Sequence, residues 1–163
     1  MDTATIQLNL VTDMTLKAWE SQNKQLIKLI DALTDEQMAK EIAPGRNTGV
    51  YLLGHLIAVS DALLPLLGFS DRLYPEMEEV FIKNPDKSGL SKPSVTELKQ
   101  RLEAVNAKLN THFQTLSAEE WLHRHTAVSA EDFAKEPHRN KLNVLISRTG
   151  HMANHLGQML LLK

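Results

Sequence analysis

The chain contains no cysteine. That absence excludes disulfides, a protein-derived thiolate nucleophile and any zinc site built on sulfur. Thiol chemistry, if it occurs, has to use a thiol from a small molecule. An excess of one charge is also missing: 18 basic residues face 20 acidic ones, with a formal net charge of −2. Without a basic block or an acidic tail, the sequence offers no dedicated nucleic-acid surface. The N-terminal MDTATIQLNL has an early acid and no basic region ahead of an apolar core, so it does not read as a signal peptide. The longest apolar run, residues 50–59, is too short to span a bilayer. A cytoplasmic protein with no membrane partner is the expectation. Internal repeats, low-complexity tracts and convincing strand alternation are absent as well.

What remains is helical periodicity in a chain of 163 residues, 42% of them apolar. This is enough for one domain, 1–163, with its own core. A first helix is expected from about Thr5 to Ala32, with Leu8, Val11, Thr15, Ala18, Trp19, Gln22, Leu26, Leu29 and Ile30 on one face. The TDEQ of Thr34–Gln37 has capping-box spacing and predicts a short turn before APGRN interrupts it. Asn47 or Thr48 caps a second helix reaching about Leu67, apolar almost all round and kinked or frayed at Pro65. Residues 68–93 hold three prolines and one short helix around PEMEEVF. SVTE at Ser94–Glu97 opens a third helix, whose stripe is Leu98, Leu102, Val105, Leu109, Phe113 and Leu116. SAEE at Ser117–Glu120 caps a short helix carrying Trp121. The fourth helix runs from about Asn140 to Lys163, with Leu142, Leu145, Ile146, Met152, Ala153, Leu156, Met159 and Leu160 on its main apolar face. Short connections make neighbours antiparallel, whereas a connection as long as 68–93 permits a crossover. The fold class expected is all-α, a four-helix bundle with a long crossover between helices two and three.

Seven histidines are present. His151 and His155 lie one turn apart, so both imidazoles leave the helix on the same side. Their stripe, shared with Val144, Arg148, Gln158 and Leu162, lies off the main apolar face. Spacing alone leaves two readings open, a chelating pair or a solvated flank. His55 stands on the apolar second helix beside Tyr51, Val59, Ala62 and Leu66, where an imidazole needs a partner. It is either a core histidine satisfied by a carbonyl or carboxylate, or a ligand whose second ring nitrogen is fixed by an acceptor. Three neutral imidazoles from two helices describe a divalent site with an open position. His112 is read as a packing residue, His123 and His125 as loop residues, and His138 as surface.

LLGHLIAVSD (Leu52–Asp61) and HMANHLGQM (His151–Met159) resemble the helix-two and helix-four metal motifs of the DinB-like superfamily of metalloenzymes. The resemblance extends in helix order and connection lengths over nearly the whole chain. It implies an up-down-down-up bundle, a homodimer, and one divalent ion (zinc, nickel or iron) held by His55, His151 and His155. It also implies a metal-dependent enzyme acting on a small-molecule substrate, a transferase that uses a low-molecular-weight thiol or a hydrolase. Family members often carry arginine directly after the second histidine of the pair, where this chain has Leu156; Arg148, on the same flank, is placed to compensate. Tyr51, Arg148 and Gln158 are the candidates for supporting the ligands or touching substrate. The alternative is a non-catalytic bundle that holds metal or serves as a dimeric interaction module. A DNA-repair binding role draws no support from the charge balance.

Overall fold

The computed structural model describes residues 2–163. Four long helices carry the architecture: α1 (Thr3–Ala32), α3 (Gly49–Asp61), α5 (Val95–Phe113) and α8 (Lys141–Met159). Short helices punctuate them, α2 (Asp35–Met38), α4 (Leu63–Leu66), α6 (Ala118–Trp121) and α7 (Ala130–Lys135). No strand occurs among the described residues, and the fold is all-α as the periodicity predicts.

Helix starts follow local chemistry. Thr34, Ser94 and Ser117 each form a complete capping box with Gln37, Glu97 and Glu120, satisfying amide groups that the first turn cannot pair itself. Of the two residues proposed to cap the second helix, Thr48 is the one that does so, accepting from the Tyr51 amide. That helix ends sooner than its apolar run suggests. The α-helix stops at Asp61 and resumes as α4 at Leu63, because Pro65 has no N–H to offer the Asp61 carbonyl and its ring crowds it. The break leaves Asp61 buried, with its carboxylate accepting from the Leu73 and Tyr74 amides at 2.8 Å each. The start of the long connection is thereby tied to the end of α3.

The core lies where α3, α5 and α8 meet the C-terminal half of α1. The α5 stripe of Leu98, Leu102, Val105, Leu109 and Phe113 is buried throughout. Gly49–Leu66 is apolar and long enough by composition to cross a membrane, yet it is mostly buried within the protein, as the central element of a helical core would be.

Two apolar faces differ from expectation. On α1 the buried line is Thr12, Trp19, Asn23, Leu26, Leu29 and Ile30, while Val11 and Ala18 face outward. On α8, Ile146 is exposed, as are Ala153 and, just beyond the helix, Leu160. For Val11, Ala18 and Ile146 the cause is shared: α1 and α8 pack side by side but leave an open groove that these residues line with Met14. The third helix ends at Phe113 rather than Ser117, and the fourth gives way to a 3-10 turn at Leu160–Leu162. The short helix near PEMEEVF is a π turn, Glu79–Lys83. Helix α7, capped by Ser129, had no counterpart in the expected set. It buries no residue, so it has no apolar periodicity to read.

Candidate metal centre

Helices α3 and α8 run past each other in opposite directions. Gly49, at the start of α3, meets Leu162 beyond the end of α8, while Leu66 shares a cleft with Asn140 and Asn143 at the start of α8. The crossing brings His55 to His151 and His155. The Nε2 atoms of His55 and His151 are 3.2 Å apart, and those of His155 and His151 are 3.0 Å apart. Ligand atoms of all three lie within 4.8 Å of one another, and each residue is partly exposed, so solvent can reach the group.

Two of the rings are oriented from behind. The Nδ1–H of His55 donates to the Phe81 carbonyl at 2.8 Å, and that of His155 donates to Gln158 Oε1 at 2.8 Å. These bonds put the ring protons on Nδ1, leaving both Nε2 atoms as bare lone pairs aimed inward. His151 Nε2 carries at most one proton and can satisfy only one of its two neighbours. At least one contact therefore sets lone pair against lone pair, unless a cation sits between them. Metal–nitrogen bonds of about 2.0–2.1 Å place neighbouring ligands ~2.9 Å apart at right angles and ~3.3 Å apart in a tetrahedron. The observed 3.0 and 3.2 Å fall in that interval. The donor set fits a divalent ion, which His55, His151 and His155 would hold.

Electrostatics favours the same protonation state. Burial pushes His151 down to about 4, reinforced by His155, His55 and Arg148. Burial is also the largest cause lowering His55, opposed by its bond to Phe81 and supported by His155 and Arg148. Both rings are neutral at physiological pH, the form that ligates metal. The Nδ1 of His151 is buried without a hydrogen-bond partner, so no acceptor braces this ring from behind.

The remaining candidates separate clearly. Gln158 lies behind His155 and orients it. Tyr51 stacks on His55 with ring planes 8° apart, but its hydroxyl is spent on the Asn84 carbonyl at 2.7 Å. It packs beside His55, with no free hydroxyl proton to donate. Arg148 is half-buried one turn before His151, and its charge acts on both His55 and His151. His112 stacks on Phe69, consistent with packing, and His138 is exposed. His123 and His125 lie in a loop; both line one cleft, and the half-buried His125 lines a second.

The participant absent from sequence reasoning is the Phe81 carbonyl. It comes from the π turn in the long connection, whose ring packs so closely over Gly54 that a Cβ there would collide with it. Glycine is required at position 54 by this approach, and one signal was visible: a glycine directly before His55 on an otherwise bulky helix.

Among curated proteins none matches this chain. A solved structure, described as the conserved protein of locus from Enterococcus faecalis, superposes with a TM-score of 0.63 at 18% identity, covering 91% of this chain and 92% of the other. At that identity the likeness concerns the fold. The family model of the DinB superfamily matches residues 18–159, a span that includes all three histidines, Gln158 and the π turn. The chain belongs to the DinB superfamily.

Proposed function

We propose that this protein is a divalent-metal-dependent enzyme that transfers a group to or from a low-molecular-weight thiol. The observation carrying the reading is the convergence of three imidazole nitrogens at 3.0 and 3.2 Å, two of the rings aimed by acceptors behind them. His55, His151 and His155 would hold the ion, with zinc, nickel and iron as the candidates this nitrogen set suits. The ion's chemistry would be Lewis acidity, which favours a thiolate or hydroxide at neutral pH. The chain's own residues orient and exclude. Phe81 and Gln158 keep two ligand protons on Nδ1, Tyr51 covers one face of His55, and Arg148 supplies positive charge beside the open side. Because the chain has no cysteine, the thiol comes from solution.

A second reading is favoured by the lean chemistry of the site. The Tyr51 hydroxyl is engaged and Gln158 is committed to His155, an arrangement that also suits a bundle holding metal without turnover. The two readings part on one experiment. Protein purified without a histidine tag is loaded with zinc or nickel, then assayed for transfer of an electrophile to glutathione, bacillithiol and mycothiol. Turnover that disappears in His151→Ala supports the enzyme. Metal uptake without turnover across the panel supports the holding protein.

We further propose a cytoplasmic homodimer. Ile6, Leu10, Val11 and Met14 on α1, with Ile146 on α8, are between 50% and 61% exposed; a stripe of this kind is suited to a second copy. Met14→Glu is expected to shift the sedimentation coefficient to that of a monomer.

A further inference from the structure

Arg148 has no hydrogen bond or ion pair with another described residue, although it is half-buried. Burial is the one cause lowering its pKa, with no carboxylate contributing, and a guanidinium stays charged nonetheless. None of its guanidinium nitrogens is fully buried, so an anion that enters from solvent can reach them, and a half-buried cation without a counter-charge favours such a partner. Arg148 borders a cleft of about 250 Å³ whose lining also includes Arg139, His125, His138, Asn143 and Ser147, and no carboxylate. Arg139 is partly balanced by Glu136 at 3.2 Å on the exposed side; Arg148 is not balanced at all. Asn143, Ser147 and Arg148 lie on the N-terminal half of α8. Arg148 precedes His151 by a rise of ~4.5 Å along that helix.

We propose that this cleft is an anion-binding subsite adjoining the histidine cluster, in which Arg148 pairs with a carboxylate or phosphate group of the small molecule that reacts there. Its role as a substrate subsite rests on the reading of the cluster as a reactive centre, whereas anion binding itself does not. The planar guanidinium offers paired N–H donors to two oxygens of either group. The Asn143 amide and Ser147 hydroxyl lie on the same wall and can donate to a third oxygen. The three histidines are not part of the cleft's lining; Arg148 links the two places, lying three positions before His151 on α8. The subsite selects small organic anions over neutral molecules of the same size.

The test uses the full chain free of metal, titrated with malate or inorganic phosphate at constant ionic strength and followed by amide NMR. Saturable shifts centred on Asn143 and Ser147 are expected, and the tighter of the two anions identifies carboxylate or phosphate as the preferred group. Arg148→Gln is expected to weaken binding ~10-fold or more, as loss of a charge-assisted bidentate pair does. Ser147→Glu sits on an exposed position that tolerates the change in folding, and it should weaken binding similarly by placing a carboxylate beside Arg148. Unsaturable shifts spread over surface lysines would overturn the proposal. So would unchanged affinity in Ser147→Glu or in a folded Arg148→Gln, or binding seen only after zinc is added. Failure to take up metal leaves the result readable, so the two readings fail separately.

Discussion

Two seams of this bundle hold polar side chains between their helices, and they behave differently. Between α3 and α8, His55, His151 and His155 turn their Nε2 atoms toward one point, and two of the rings are braced from behind. Between α1 and α5, Asn23 and Asn106 line a shared cleft. Asn23 donates only to its own helix, at the Trp19 carbonyl, and its Oδ1 is unpaired, as are both amide atoms of Asn106. Polar side chains are common to both seams. Orientation of several donors toward a single position belongs to one, and that orientation distinguishes a site from an imperfectly satisfied core.

Substitutions can break or sharpen this contrast. The largest effect is expected from His55→Ala, which removes the α3 ligand: bound metal should fall from about one ion per chain to near none, read by elemental analysis, with the helical circular-dichroism spectrum retained. Gln158→Leu removes the brace behind His155 and should weaken metal affinity by ~10–100-fold, measured by competition with a chromophoric chelator. Gly54→Ala drives a methyl group against the Phe81 ring. It should cost about 1–3 kcal/mol of stability in chemical denaturation, and also weaken metal binding because the carbonyl behind His55 moves with the ring. Asn106→Leu, at the other seam, should change stability by less than about 1 kcal/mol in either direction and leave metal affinity untouched. A comparable loss of metal in Asn106→Leu would erase the distinction.

The histidines also set a pH dependence. In the metal-free protein the folded-state pKa of His151 is about 4 and that of His55 is lowered, both below the ordinary histidine value of 6.5. The unfolded chain therefore binds protons first as pH falls, and the stability present above pH 6.5 declines toward pH 4. Thermal melts of metal-free protein should show a lower midpoint at pH 5 than at pH 7.5. His151→Ala should flatten that difference.

Much of this was legible in the sequence because it is local. Capping boxes at Thr34, Ser94 and Ser117 depend on residues three apart, and the α5 stripe depends on helical period alone. His151 and His155 could be read as sharing a side of one helix for the same reason. His55 was harder, because joining it to the pair needs the α3–α8 crossing, which comes from tertiary packing. The outward turn of Val11 and Ile146 was missed because a helical wheel cannot say which of two adjoining apolar arcs meets a neighbour. The Phe81 carbonyl was invisible, since a backbone atom in a long connection leaves no mark in residue type. Gly54 was its only trace.

The central claim is that α3 and α8 together hold one ion through three imidazole nitrogens. X-ray absorption on untagged, zinc- or nickel-loaded protein tests it most directly. The account predicts about one ion per chain with three imidazole scatterers at ~2.0–2.1 Å, and loss of that signature in His151→Ala. A wild-type protein that takes up neither metal, or one whose metal keeps the same ligand shell after His151 is removed, would contradict it.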